Sequence, residues 1–370
     1  MRVLHIINSL GLGGAQTVVK GILESQKNNK DIFLYVMRRK KKELKIEHPN
    51  IFIYPSESVY SIKPLKELKN FIKKNNIEIL HCHLPRQQLF GYLLKKTFPN
   101  IKVIFHEHGN VFDSDFFVPF LLNHIQGRAN AFIAVSNAIK EGLIKKAKID
   151  TRKIIVLYNF VDTKIYNRKK IKWDIQKERK KLGIKRGDFV VGYAGRLVYR
   201  KGWKEYIEAA KLIVKDNPNF KFLIAGDGTD KEKMLELIQK YNLEKNIIYL
   251  GYKSEMVWFY SLLDCFVLPS YWEGLPMVQL EAMAMKIPLV SCNGPGMDEV
   301  TMNNENSVLC PPRDYILLSQ KIIIISKQTA LRKKLLINGL ITAKKHSLKT
   351  FNKELKKIYE VVMKDGKKNI

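Results

Sequence analysis

Short apolar runs alternate along this chain with longer stretches whose apolar residues recur every three or four positions. Arg2–Ile7, Asp31–Met37, Ile77–Leu80, Ile101–Phe105, Ala131–Val135 and Ile154–Leu157 have the length and β-branched content of buried strands. Between them, Ala15–Gln26, Pro64–Lys74 and Asn137–Ala147 carry helical spacing, the last with Ser136 or Asn137 placed to cap its start. From Tyr166 to Asp188 the pattern gives way to a charged stretch, Asn167–Leu182, which has the character of a linker. A second series then begins, with strands expected at Phe189–Tyr193, Phe220–Ala225, Ile247–Tyr249, Cys265–Leu268, Leu289–Ser291 and Ser307–Leu309. Its helices are expected at Lys204–Lys215, Lys231–Tyr241, Met256–Leu262 and Gln279–Ala284, and the chain closes on Leu317–Lys327, Ala330–Leu340 and Phe351–Met363.

Strand–helix alternation implies parallel sheets with right-handed crossovers. The expected fold is therefore α/β, with two doubly wound Rossmann-like domains and a ligand cleft between the carboxyl ends of their sheets. The first domain spans residues 1–166, the linker 167–187 and the second domain 188–345.

Composition narrows the classes. At 370 residues with 46% hydrophobic side chains, the chain is long enough and apolar enough for two cores, which excludes disordered, collagen-like and disulfide-scaffold proteins. The four cysteines, Cys82, Cys265, Cys292 and Cys310, form no C-x-x-C pair and suit a reducing, cytoplasmic compartment. No apolar run is long enough to span a bilayer, and Met1–Leu10 is interrupted by His5 and Asn8, so it reads as a strand and not a leader. The net charge of +30 fits nucleic acid, an anionic membrane or a phosphorylated substrate, and equally a lysine-rich proteome, so charge alone assigns nothing.

Three loops carry candidate chemistry. Gly11–Gln16 follows the first strand and opens a helix, where Gly13 and Gly14 can bring backbone N–H groups close to an anion, although the third glycine of the dinucleotide fingerprint is missing. Gly192–Gly202 opens the second series in the same topological place, and there Arg196 and Lys201 suit a diphosphate, one as a fork and one as a point charge. Tyr271–Ala284 is the richest segment. It sets Glu273 in a loop and Glu281 inside the following helix, amid an apolar sequence, and carboxylates accept hydrogen bonds from the paired hydroxyls of sugars and ribose.

These residues resemble the retaining glycosyltransferases of family 4, with the two-domain GT-B fold. Gly13-Gly14-Ala15 is similar to the family's glycine loop, and Gly195-Arg196 with Lys201-Gly202 to its G-R-x-K-G loop. Gly226-Asp227-Gly228 resembles its G-x-G turn, and Glu273-Gly274 with Glu281–Ala284 its glutamate–seven residues–glutamate signature. Ile79–His83, His108-Gly109, Val135-Ser136, Asn159–Asp162, Glu299 and Asn306–Asp314 also find counterparts, in order along nearly the whole chain. Pro276, Phe160 and Ser307 depart from the usual residues, and Met297-Asp298 stands where a Gly-Gly pair is common.

The resemblance implies that the C-terminal helix, about 346–370, rejoins the first domain. It implies a nucleotide-sugar donor, with UDP-sugars favoured, and a glycan or lipid-linked acceptor in bacterial polysaccharide or lipopolysaccharide assembly. Arg196 and Lys201 would neutralise the leaving diphosphate, Glu281 would grip ribose and Glu273 the transferred sugar. Backbone near Gly13, Gly14, Gly226, Gly274 and Pro276, Met277 and Val278 would complete the donor site, and His108 would reach the sugar and leaving phosphate. Neither metal nor other cofactor is expected, since fixed cations and amides can stabilise the departing charge.

Rival readings accompany these expectations. His81-x-His83 and His106-x-His108 both end candidate strands, so a zinc site with Cys82 or Glu107 competes with the family reading. The basic helix Pro64–Lys74 and the apolar segment Asp113–Gln126 could rest on an anionic bilayer, making the protein peripheral at the inner face of the cytoplasmic membrane. A GT-B epimerase or phosphorylase-like enzyme is the nearest alternative activity. A nucleic-acid-binding role finds no recognisable module or aromatic-basic interleaving.

Overall fold

A computed structural model describes the chain except residues 12, 41–42, 56–57, 59–60, 110–115 and 365–370. The start of the expected apolar segment Asp113–Gln126 thus lies outside the described residues. The chain forms two compact units, Met1–Phe160 with Leu348–Ile370, and Val161–Ser347.

The first unit is built on a parallel sheet of β1 (Val3–Ile7), β2 (Ile32–Val36), β3 (Ile51–Ile53), β4 (Ile79–His83), β5 (Lys102–Glu107), β6 (Ala131–Ala134) and β7 (Ile154–Val156). Their spatial order is β3-β2-β1-β4-β5-β6-β7. The strands β1, β2, β4 and β6 are buried along their whole length, which explains their unbroken apolar runs: crossover helices cover both faces of such a sheet. The connecting helices are α1 (Gly14–Ser25), α2 (Lys63–Asn75), α3 (Pro85–Thr97), α4 (Phe117–Ile125) and α5 (Asn137–Lys145). Ser136 caps α5, its hydroxyl accepting from the Ile139 amide at 3.1 Å. Strand β3 and helix α3 have no counterpart in the hydrophobic pattern. The former is three residues at the sheet edge, and the latter buries Gln87, Gln88 and Gly91 on its inner face, so its apolar spacing is broken.

The second unit has β8 (Phe189–Ala194), β9 (Phe220–Ala225), β10 (Ile247–Gly251), β11 (Cys265–Leu268), β12 (Leu289–Cys292) and β13 (Val308–Cys310), ordered β10-β9-β8-β11-β12-β13. Its helices are α6 (Ile175–Lys181), α7 (Trp203–Asp216), α8 (Lys231–Lys240), α9 (Met256–Ser261), α10 (Met277–Ala284), α11 (Tyr315–Lys327) and α12 (Thr329–Lys345). The charged stretch 167–187 lies within this unit and holds α6, capped by Asp174. Arg179 of that helix is buried, pairs with Asp264 at 2.9 Å and donates to the Leu262 carbonyl at 2.8 and 3.1 Å. Side chains that look like solvated linker charge in the sequence thus anchor a helix to the sheet. Pairing of β12 with β13 also sets Cys292 opposite Cys310, with sulfurs 3.9 Å apart and both thiols free.

The last helix, α13 (Leu348–Lys364), belongs to the first unit. It buries Leu348, Phe351, Leu355, Ile358, Tyr359 and Val362, and Asn352 donates to Ser25 of α1 at 2.8 Å. In each sheet the strand order reverses once, beside β1 and β4 in the first and β8 and β11 in the second. Loops leaving the carboxyl ends at such a reversal diverge to opposite faces and open a crevice, the favoured ligand position of open α/β sheets.

Candidate active site

At the reversal of the second sheet, the loop after β8 (Gly195–Gly202) meets the loop after β11 (Pro269–Pro276). The Tyr271 amide donates to the Arg200 carbonyl at 2.9 Å, and the Glu273 amide to Pro295 at 3.1 Å. Close backbone approaches around the loop after β8 require glycine twice, once against the loop after β11 and once after β9. A Cβ on Gly202, which sits at φ +68° and starts α7, would lie 2.0 Å from the Pro269 carbonyl oxygen; one on Gly226 would lie 1.9 Å from that of Gly195.

Glu273 is 7% exposed and surrounded by donors. The Ser270 hydroxyl donates to it at 2.8 Å, Lys201 forms a direct ion pair with it, and an Arg200 nitrogen stands 3.8 Å away. Arg200 in turn lies over the Trp272 ring at 4.1 Å. Burial pushes the Lys201 ammonium below its usual range, and the facing Glu273 carboxylate opposes that shift. Arg196 is exposed, in the same loop, and its charge reaches Lys201. The result is a carboxylate balanced by two cations, with a third free to face an incoming anion.

Glu281, 5% exposed in the middle of α10, takes a hydrogen bond from the Tyr260 hydroxyl at 2.9 Å and another from Tyr166. Burial drives its carboxyl from the ordinary 4.5 up to about 7, against the pull of the two phenols. The first turn of α10 leaves backbone N–H groups unpaired within the helix. Of the three residues expected there, Pro276 has no N–H, so only Met277 and Val278 carry amides. Gly274 lies against the backbone of Gly296, whose added Cβ would meet the Gly274 oxygen at 2.4 Å.

In the first unit, Gly13 and Gly14 begin α1 immediately after the β1 loop, and a Cβ on Gly14 would meet nothing within 4 Å. Glycine there is not demanded by packing. His108 follows β5 and hydrogen-bonds through Nε2 to Nδ1 of His83 at 3.0 Å. Behind it stand His5, His81 and His106, all fully buried. Ring nitrogens of His5, His81 and His83, and of His83, His106 and His108, lie within 4.8 Å of one another, the spacing that made zinc a rival reading. Contacts of 3.0 Å between successive rings show these nitrogens hydrogen-bonded to each other. Burial lowers all five imidazoles, His5 and His108 to about 3, so each is neutral at pH 7.

The structure therefore brings Lys201 and Glu273 into contact and places Gly195 against Gly226. It also adds residues the sequence reading passed over: Arg200, Ser270, Tyr260 and Tyr166 in the second unit, and His5 and Tyr359 in the first. Arg200 directly precedes Lys201 in the loop. Tyr260 and Tyr359 carry no local signal, because each reaches its partner from another helix.

Comparison with known proteins follows the same division. Residues 12–165 match the family described as Glycosyltransferase Family 4, and residues 174–340 the Glycosyl transferases group 1. The chain is 30% identical over 268 residues to the UDP-Gal:alpha-D-GlcNAc-diphosphoundecaprenol alpha-1,3-galactosyltransferase of Escherichia coli, covering 69% of this chain and 68% of that protein. It is 28% identical over 259 residues to the capsular polysaccharide biosynthesis glycosyltransferase CapM of Staphylococcus aureus, covering 68% and 67%. Among solved structures, Anabaena Alr3699/HepE in complex with UDP-glucose shares the GT-B fold with a TM-score of 0.86 at 20% identity, over 98% of this chain and 100% of that one.

Proposed function

The chain belongs to the glycosyltransferases of family 4, and on that premise we propose a retaining transfer from a nucleotide diphosphate sugar. The sugar is a hexose or N-acetylhexosamine, the nucleotide is uridine in preference, and the acceptor is a glycan or lipid-linked saccharide of bacterial surface polysaccharide or lipopolysaccharide. The observation that carries this reading is the buried Lys201–Glu273 pair with Arg196 and Arg200 beside it, next to a separately buried Glu281. That arrangement suits two tasks at once, balancing a diphosphate and holding two sets of hydroxyls.

In the reaction, the bond from the anomeric carbon to the diphosphate oxygen breaks and a bond to the acceptor oxygen forms on the same face. The acceptor proton passes to the leaving phosphate oxygen. Arg196 and Lys201 neutralise the charge that grows on the diphosphate, with the Met277 and Val278 amides at the start of α10 adding N–H donors. Glu273 binds the transferred sugar, and Glu281 accepts from the ribose hydroxyls. Within the first unit, Gly14 offers a backbone amide suited to an anion and His108 a side chain suited to a sugar or phosphate oxygen. Fixed cations make a divalent metal unnecessary, so transfer is expected to persist in a chelator.

A uridine donor and a lipid-linked acceptor are supported by the E. coli relative, whose name specifies both, and a capsule role by CapM. A place at an anionic bilayer is supported by exposed Phe116, Phe117 and Phe120 on and beside α4, 72%, 69% and 49% exposed, and by exposed Lys63, Lys66, Lys73 and Lys74 of α2. Calorimetric titration with UDP, GDP and ADP, in chelator, tests the donor assignment. Selective binding of UDP is expected, and binding of none of the three would remove the nucleotide-sugar reading.

A further inference from the structure

Six buried or half-buried groups of the first unit form a single hydrogen-bonded file. His106 Nδ1 meets His81 Nε2 at 3.0 Å, and His81 Nδ1 meets the Tyr359 hydroxyl at 2.7 Å. The same hydroxyl meets His5 Nε2 at 3.4 Å; His5 Nδ1 meets His83 Nε2 at 3.0 Å, and His83 Nδ1 meets His108 Nε2 at 3.0 Å. The fold makes this file. β1, β4 and β5 are neighbours, with His5 opposite His81 and His83 opposite His106, so the four rings fall on adjoining strands, while α13 brings the Tyr359 hydroxyl to both His81 and His5.

A neutral imidazole donates through one nitrogen and accepts through the other, and a phenol has one proton to give. Every link in such a file must therefore point the same way, and the direction chosen at one end sets the tautomer at the other. The two ends differ. His106 Nε2 is buried with no hydrogen-bond partner among the described residues, whereas His108 is half-buried. An N–H stranded at the His106 end would have nothing to donate to, while one at the His108 end can reach solvent or ligand.

We propose that Tyr359, His5, His81, His83 and His106 are positioning residues that together fix His108 as the Nδ1–H tautomer. The direction that strands no N–H leaves His106 Nε2 a bare nitrogen and puts the proton on Nδ1 in all five rings, with Tyr359 accepting from His81 and donating to His5. His108 then accepts from His83 through Nε2 and presents an N–H, so it meets a sugar or phosphate oxygen as a neutral donor and not as a base. Burial, which keeps the rings uncharged, supplies the condition for the file to run unbroken.

This inference rests on the reading of His108 as a residue serving the transferred sugar, and its test separates the two. Imidazole ¹⁵N chemical shifts of the full chain at pH 7.5 should show five rings protonated at Nδ1 only. A mixture of tautomers among the five, or five Nε2–H rings, would overturn it, as would stoichiometric zinc, nickel or cobalt in the purified protein. Tyr359→Phe removes one oxygen and should let His108 sample both tautomers, with kcat falling about tenfold and KM for the donor within twofold. An unchanged His108 spectrum in a folded Tyr359→Phe protein would also overturn it. Because the spectra need no turnover, a wild-type file of five Nδ1–H rings alongside full activity in His108→Ala would instead remove the sugar-contact reading and leave the file standing.

Discussion

The reversal points of the two sheets are matching places stocked with opposite chemistry. In the second unit the loops after β8 and β11 gather formal charge: Glu273 against Lys201 and Arg200, with Arg196 nearby and Glu281 buried under two phenols. In the first unit β1, β4 and β5 gather five uncharged imidazoles, joined by the Tyr359 phenol, with the Glu107 side chain buried at the end of β5. On the proposed reading, the contrast lets one topology serve two needs. A departing diphosphate calls for compensated cations held in a dry site, where their field is strong. A neutral sugar calls for oriented donors and acceptors, which imidazoles provide as long as burial keeps them uncharged.

The largest expected effect strikes the charged side. Lys201→Ala should lower kcat by about 10²–10³-fold, the range for losing one preorganised group that stabilises transition-state charge. Glu273→Gln combined with Lys201→Ala should cost less than the two separate losses together, because the residues pair directly. Full additivity in steady-state kinetics would show that the pair does not act as a unit.

Stability against pH should separate the two regions next, with opposite signs. Glu281 has a folded pKa of about 7 against an ordinary 4.5, so its contribution is complete below pH 4.5 and is lost as pH rises to 7. The loss is about 3 kcal/mol, and Glu281→Gln should abolish it in urea titrations compared at pH 4.5 and 7. The histidines behave in reverse. Their folded pKa values lie well below the ordinary 6.5, so their contribution is complete above pH 6.5 and falls as the unfolded chain takes up protons below it. Each ring removes about 1.4 kcal/mol per pH unit, which makes the first unit the acid-labile one; separate unfolding probes in each unit check this.

His108→Ala should then lower kcat by about 10–100-fold, the loss of one neutral donor, while UDP affinity stays within twofold by calorimetry. Glu281→Gln should do the converse, weakening UDP by about tenfold or more. The smallest effect belongs to the surface. Phe116→Ser with Phe120→Ser should leave soluble-acceptor turnover unchanged and reduce cosedimentation with anionic vesicles at low salt.

Much of this was legible in the chain. Buried parallel strands announce themselves as unbroken apolar runs, and the expected spans for β9 and β11 coincide with those observed. Glycine-flanked loops with Arg196, Lys201 and Glu273 stand out because charge beside a buried strand end is unusual. Helix α3 leaves no apolar periodicity because its inner face carries Gln87 and Gln88, and the stretch around α6 has the character of a linker because nothing local reveals that Arg179 finds Asp264.

Local periodicity was enough to set two doubly wound sheets, and loop chemistry to single out the glycine loops, carboxylates and cations proposed for the site. Those properties depend on residues within a few positions of one another. Side-chain partnerships depend on strand order and on which helix returns to which sheet. Only the folded chain decided that Arg200 completes the Glu273 pair, that Tyr260 and Tyr166 hold Glu281, and that Tyr359, 278 positions beyond His81, closes a file of histidines. Contacts between residues so far apart in sequence leave no periodic trace, since the energy that forms them is paid through packing of whole elements and not through local propensity.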